Sequence, residues 1–101
     1  TEVEVMPTFP GGLAEFGKFL GKNLKYPTEA KRNKIQGRVY ISFIVEADGS
    51  LSEPKVLRGI GSGCDEEAVR VMKLSPNWIP GVQNGKKVRV NYTVPIFFSL
   101  K

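Results

Sequence analysis

Residues 86–101 read KKVRVNYTVPIFFSLK, and within them Val88, Val90, Tyr92, Val94, Ile96, Phe98 and Leu100 occupy every second position. Successive side chains of a strand point to opposite faces, so this series predicts a terminal strand with one buried face. The interleaved series is Lys87, Arg89, Asn91, Thr93, Pro95, Phe97 and Ser99. Proline has no N–H to give to a ladder and is confined to edges and bulges, which makes this an edge strand. A long edge with a dry inner face is either an aggregation hazard or a rail for an extended peptide. Phe97 falls on the outward series, so either the strand bulges near Pro95 or an aromatic ring is exposed there.

Upstream, Trp78-Ile79-Pro80-Gly81 leads into a loop containing Asn84-Gly85. Before it, Ala68, Val71, Met72 and finally Ser75 share one face of a helix expected over 65–74. Asp65 is its expected cap, Glu66 and Glu67 sit in the first turn where the helix dipole favours anions, and Pro76 stops it. Gly59, Gly61 and Gly63 form the loop in front of that helix. From Arg38 to Glu46 the period is two, with Val39, Ile41, Phe43 and Val45 on one side. Asp48-Gly49 signals a hairpin whose return strand runs from Leu51 through Leu57, interrupted by Pro54. Thr28 to Arg32 reads as a short helix with Ala30 inward. An earlier helix carries an apolar stripe of Leu13, Phe16, Leu20 and Leu24, with Lys18, Lys22 and Lys25 largely outside it. It ends at Tyr26-Pro27, because the residue before proline is pushed out of the helical region. Met6 to Gly12, with two prolines and paired glycines, is a turn, preceded by a short strand at Val3 and Val5.

The expected fold is α+β: two layers, with a three-stranded antiparallel sheet and helices packed on one face. The 101 residues, 41% of them hydrophobic, suit one domain, with 1–12 an N-terminal extension and 13–101 the core. No apolar run approaches the roughly 20 residues that cross a bilayer, and Thr1-Glu2-Val3-Glu4-Val5 has neither an initiator Met nor a signal-peptide pattern. The chain reads as a piece of a longer protein.

With no histidine and one cysteine, most catalytic and metal chemistry is excluded, so no catalytic residue, metal site or cofactor is expected. Cys64 reads as a small apolar core residue. The net charge of +5 is uneven: Lys18, Lys22, Lys25, Lys31, Arg32, Lys34 and Arg38 face only Glu29 in their stretch. Such a bias is either a solvated helical face or a field that attracts an acidic partner.

The three glycines match neither phosphate-loop spacing, and Asp65, Glu66 and Glu67 occupy the helix start where a phosphate would sit. Phe16, Phe19 and Tyr26 interleave with the basic stretch as a stacking platform would, yet Phe16 belongs to the core stripe and no aromatic RNA-binding motif appears on either strand. Trp78, between Pro76 and Pro80, is a surface anchor or a plug over the end of the core, and the prolines favour the plug.

Taken in order, Tyr26-Pro27-x-x-Ala30, Gly37-x-Val39-x-Ile41-x-Phe43-x-Val45-x-x-Asp48-Gly49, Asp65-Glu66-x-Ala68 and Trp78-x-Pro80-Gly81 before a terminal strand resemble a TonB C-terminal domain. Met6-Pro7-x-Phe9-Pro10-Gly11-Gly12 and Gly61-x-Gly63-Cys64 make it similar to the version found in Bacteroidetes-type bacteria. The resemblance implies antiparallel strands with helices on one face. It implies a parent anchored in the inner membrane, with a proline-rich span across the periplasm and force supplied by the motor proteins ExbB and ExbD. It implies as partner the TonB box of an outer-membrane TonB-dependent transporter, added as a strand to the terminal strand. By position, docking maps to Lys87 through Phe97: Lys87, Arg89, Val90, Asn91, Tyr92, Thr93 and Phe97, with Asn23 touching the same peptide. Pro95 departs from the pattern and removes one donor. Tyr26, Pro27, Phe43, Trp78 and Pro80 are expected to be structural. A homodimer of isolated domains through the same strand is a further partnership left open.

Two rivals stand beside this. The same fold at the end of another envelope protein, such as a membrane sensor-peptidase, would bind a peptide without transmitting force. A His-Glu-x-x-His motif upstream of Thr1 would mark it, whereas a proline-rich spacer would mark a TonB. A nucleic-acid binder would instead show steeply salt-dependent affinity.

Overall fold

A computed structural model describes residues 4–100, so Val3 of the expected first strand lies outside the described residues. The elements are α1 (Leu13–Asn23), α2 (Thr28–Arg32), β1 (Gly37–Val45), β2 (Leu51–Arg58), α3 (Cys64–Lys73), β3 (Gly81–Gln83), β4 (Lys86–Val88) and β5 (Val90–Phe98). β1 is the centre of a three-stranded antiparallel sheet in the order β2-β1-β5. Its Val39, Ile41, Phe43 and Val45 are buried, as are Val94, Ile96 and Phe98 of β5 and Cys64, Ala68, Val71 and Met72 of α3. The α+β sheet with its helices is therefore as the periodicities predicted.

The terminal strand departs from expectation in one respect. It is not continuous from Lys87: a break at Arg89 separates β4 from β5. β1 offers partners only from Gly37↔Phe98 to Val45↔Val90, after which it turns away through Asp48-Gly49. Residues before Val90 therefore have no place in that sheet. They fold back on β3, pairing Gly81↔Val88 and Gln83↔Lys86. The loop expected at Asn84-Gly85 is thus a two-residue hairpin turn, with φ of 54° and 74° as a type I′ turn requires. Val5 bridges Val82 and Thr8 bridges Ile79, so the N-terminal segment runs along this hairpin and delivers Phe9 into the core.

Trp78 closes the core. It is 4% exposed and meets the rings of Phe9, Phe16, Phe43 and Tyr92 at centroid distances of 5.2–5.8 Å, all steeply tilted. Its Nε1–H donates to Ser75 Oγ at 3.0 Å and its amide to the Gly49 carbonyl at 2.8 Å. Phe16 and Phe19 of α1 pack against Phe9 in the same cluster, which removes them from any stacking platform for nucleic-acid bases. Tyr26 sets its ring edge-on to Phe98 at 5.6 Å and donates to the Ile35 carbonyl.

The helix over 64–73 starts differently from expectation. Gly63, in the left-handed region, is its cap, and the Asp65 carboxylate reaches back to accept from the Ile60 and Gly61 amides at 2.8 and 3.2 Å. Asp65 therefore orders the glycine loop instead of capping the helix. Next to it, Glu67 accepts from the Lys25 amide at 2.6 Å and from Arg70 Nε and Nη2 at 2.7 Å. Arg70 Nη2 in turn donates to the Asn23 carbonyl at 2.8 Å. This clamp ties the end of α1 to α3 and so fixes where α1 lies.

Arg70 beside it, with help from the Lys25 amide, holds the Glu67 carboxyl below its usual range. A carboxylate with a lowered folded-state pKa stabilises the fold fully above its unfolded pKa, about 4.3, and loses that contribution as pH falls through the lowered value. Glu67→Gln should therefore cost about 1.5–3 kcal/mol at neutral pH, the range of hydrogen bonds to charged groups. The deficit should close on acidification. Urea midpoints of both proteins between neutrality and about pH 2.5 check this, and parallel curves would contradict it.

Candidate peptide-docking edge

The two outer strands of the sheet present different edges. On β2, Ser42 pairs with Lys55 and Ile44 with Ser52, so Glu53 and Pro54 together oppose Phe43. A second irregularity at Leu57 separates the pairs Tyr40↔Arg58 and Ile41↔Val56. Glu53 has φ of 50°. A bulged strand with an internal proline and charged side chains is a poor template for another strand. β5, by contrast, pairs with β1 without a slip along its whole length.

The direction of the β5 backbone groups follows from β1. The Glu46 amide donates to the Ser50 carbonyl at 2.8 Å, toward β2. Backbone groups alternate sides along a strand, so Val45, Phe43, Ile41 and Val39 turn theirs toward β5. Their partners Val90, Tyr92, Val94 and Ile96 are the hydrogen-bonded residues of that ladder. Asn91, Thr93, Pro95 and Phe97, opposite Ile44, Ser42, Tyr40 and Arg38, then direct N–H and C=O outward. Pro95 lies where its missing donor costs the sheet nothing. The open edge offers amides at Asn91, Thr93 and Phe97, and among the described residues no backbone acceptor meets them.

These relations sort the residues expected to bind a partner. Asn91, Thr93 and Phe97 form the outward row, while Val90 and Tyr92 spend their backbone groups on β1 and turn their side chains toward the core. Lys87 belongs to the β3–β4 hairpin. Arg89 is held by Glu46, Nε to Oε1 at 3.0 Å, and the Glu46 carboxyl is lowered by Arg89 and then by the Ser52 hydroxyl. Asn23, at the end of α1, donates to the Phe19 carbonyl at 2.9 Å. Phe97 is the exposed aromatic of the two alternatives, 60% accessible on an unbulged strand with the Arg38 guanidinium 5.5 Å from its ring centroid. Of the residues expected to be structural, Phe43 and Trp78 are buried and Tyr26, Pro27 and Pro80 half-buried.

Beside the open edge lies an apolar groove of 610 Å³ that the sequence reading missed. Its walls are Leu13 and Leu20 of α1, Leu24 just past its end, and Val94, Pro95 and Phe97 of β5, with Gly17 and Gly21 between them. Leu13, expected in the core stripe, is 77% exposed here. The signal in the sequence was the pair of glycines inside a helix. A Cβ added at either meets nothing within 4 Å, so the molecule itself does not need the space. Gly17→Ala and Gly21→Ala should each stabilise the domain by about 0.5–1 kcal/mol, raising its urea midpoint.

An α+β domain with one blocked and one open sheet edge is a binding module in geometry. The family model of the Gram-negative bacterial TonB protein C-terminal matches residues 22–100. The chain belongs to this TonB C-terminal family, a family of binding domains in energy transduction and not of enzymes. It is 44% identical over 52 residues to Protein TonB of Haemophilus influenzae, covering 50% of this chain and 19% of that protein. With Protein TonB of Pseudomonas aeruginosa the identity is 30% over 76 residues, 75% of this chain and 22% of that one. The chain thus spans about a fifth of the length of these relatives. The solution structure of the Helicobacter pylori TonB C-terminal domain, residues 179–285, is similar at a TM-score of 0.64 and 26% identity, over 88% of this chain and 80% of that one. The shorter form, residues 194–285, gives 0.61 and 26%, over 88% and 94%. No helix among the described residues is long and apolar enough to cross a membrane.

Proposed function

We propose that this domain binds the TonB box of an outer-membrane TonB-dependent transporter as an added strand on the outer edge of β5. Its parent protein, anchored in the inner membrane and driven by ExbB and ExbD, couples the proton-motive force to substrate uptake, and this domain works on the periplasmic side. The observation that carries the reading is the contrast between the regular, unpaired edge at Asn91, Thr93 and Phe97 and the bulged edge of β2. Membership of the TonB family supports the partner.

The energetics suit a transient coupler. Each added backbone hydrogen bond contributes about 0.5–1.5 kcal/mol. Ordering the peptide costs about 1–2 kcal/mol per residue. The two nearly cancel, so affinity rests on side-chain contacts and charge, while hydrogen bonds loaded together still resist a brief pull. Titration of the domain with a synthetic TonB-box peptide should saturate with Kd between about 1 μM and 1 mM. A peptide that fails to saturate the domain at several times the upper limit would overturn the proposal.

A further inference from the structure

Resting on that strand-addition reading, we infer that the groove between α1 and β5 is the specificity pocket for the docked strand, taking its alternate apolar side chains. Gly17 and Gly21 set the depth of the pocket, and Leu13 and Phe97 form its rims.

A strand added outside β5 lies one strand spacing further out and keeps the same pleat. Half of its side chains therefore project to the side of the sheet on which Val94 is buried, and that is where α1 runs. They enter a space lined by no charged residue, with the exposed Leu13 and Phe97 at its margins. Water is a poor occupant of such a groove, and a polar peptide face gains nothing from it. Glycine at 17 and again at 21 weakens the helix relative to alanine, with no internal neighbour to require it. Four residues apart, the two lie on one helical face, and both line the groove. The missing side chains leave room for those of another chain.

Charge indicates what kind of chain. Going round α1 from the groove, Lys18 is the next exposed cation, with Lys22 beyond it, while Lys25 follows the end of the helix beside Glu66 and Glu67. Among the described residues Lys22 and Lys25 make no ion pair, and Lys18 meets only Glu15 at 3.3 Å. An apolar groove with the Lys18 ammonium on the adjoining face of its helix fits an extended peptide with short apolar side chains at alternate positions and a carboxylate at its flank. It does not fit a second copy of this basic chain, whose own net charge is +5.

The test uses residues 1–101 and two acetylated, amidated heptapeptides, Asp-Thr-Val-Thr-Val-Thr-Ser and Asp-Thr-Ser-Thr-Ser-Thr-Ser, titrated while the amides of the domain are followed by NMR. The valine peptide should bind about tenfold more tightly per valine than the serine peptide. Gly17→Leu fills the groove at a position where the added carbon meets no neighbour, and should erase this preference by weakening the valine peptide to the level of the serine peptide. Leu13→Ser, on an already exposed residue, should reduce the preference from the rim and serves if Gly17→Leu folds poorly. Equal affinity of both peptides, with the amides of β5 shifted, would overturn the pocket and leave strand addition standing. A preference that survives both substitutions would do the same. If neither peptide moves Asn91, Thr93 or Phe97, strand addition itself fails. A wild-type dimer in sedimentation that Gly17→Leu dissociates would assign the groove to a second copy and overturn the proposal.

Discussion

Trp78→Ala should lower the stability of the domain by about 3–5 kcal/mol and its thermal midpoint by more than about 10 °C. The residue is almost wholly buried and is the point at which four separately folded pieces meet: Phe9 of the N-terminal segment, Phe16 of α1, Phe43 of β1 and Tyr92 of β5. Removing the indole leaves a cavity that none of these rings can fill without leaving its own strand or helix. It also removes the Nε1–H donor to Ser75 Oγ, while the backbone bond from residue 78 to the Gly49 carbonyl is retained by alanine. Native stabilities of about 5–15 kcal/mol make such a loss a large fraction of the total. Calorimetry or urea denaturation checks it, and an unchanged midpoint would show that the aromatic cluster does not hold α1 to the sheet.

Asn91→Pro should weaken binding of a TonB-box peptide by at least about tenfold while the domain stays folded. The Asn91 amide points out of the sheet, so the substitution deletes no bond to β1 and repeats a situation the strand already accepts at Pro95. What it removes is the first outward donor of the edge, and its ring stands in the path of an incoming backbone. The neighbouring substitution Tyr92→Pro inverts the outcome. Its amide belongs to the β1 ladder, so stability should fall by about 3 kcal/mol or more. Binding loss at position 91 and folding loss at position 92 together form a signature that a general weakening of the strand would not produce.

The terminal strand was legible because burial on one side imposes a period of two from Val90 to Phe98. Its upper limit was not, because the alternation runs on through Val88, and only the end of β1 at Val45 decides that Val88 pairs with Gly81 instead. The β3–β4 hairpin escaped notice despite its Asn84-Gly85 turn, since strands of three residues carry no readable period and one of them is supported by Val5, far away in the chain. Helical spacing identified the stripe on α1 but could not tell a core from a groove: Phe16 went one way and Leu13 the other. Asp65 before an acidic turn looks like a cap, and the chain order alone does not reveal that its carboxylate turns to the amides of Ile60 and Gly61. The outward row of Asn91, Thr93 and Phe97 was legible from Pro95 alone, whereas the assignment of Val90 and Tyr92 to the inner ladder needed the register.

The claim that a peptide docks on the outer edge of β5 is tested most directly by amide hydrogen exchange, residue by residue, with and without a TonB-box peptide. The amides of Asn91, Thr93 and Phe97 should be exposed in the free domain and gain protection together when peptide is added. Those of Tyr92 and Val94, already bonded to β1, should change little. Protection that appears instead at the Asp48-Gly49 turn or in the glycine loop at 59–63, with the three outward amides exchanging as before, would contradict it.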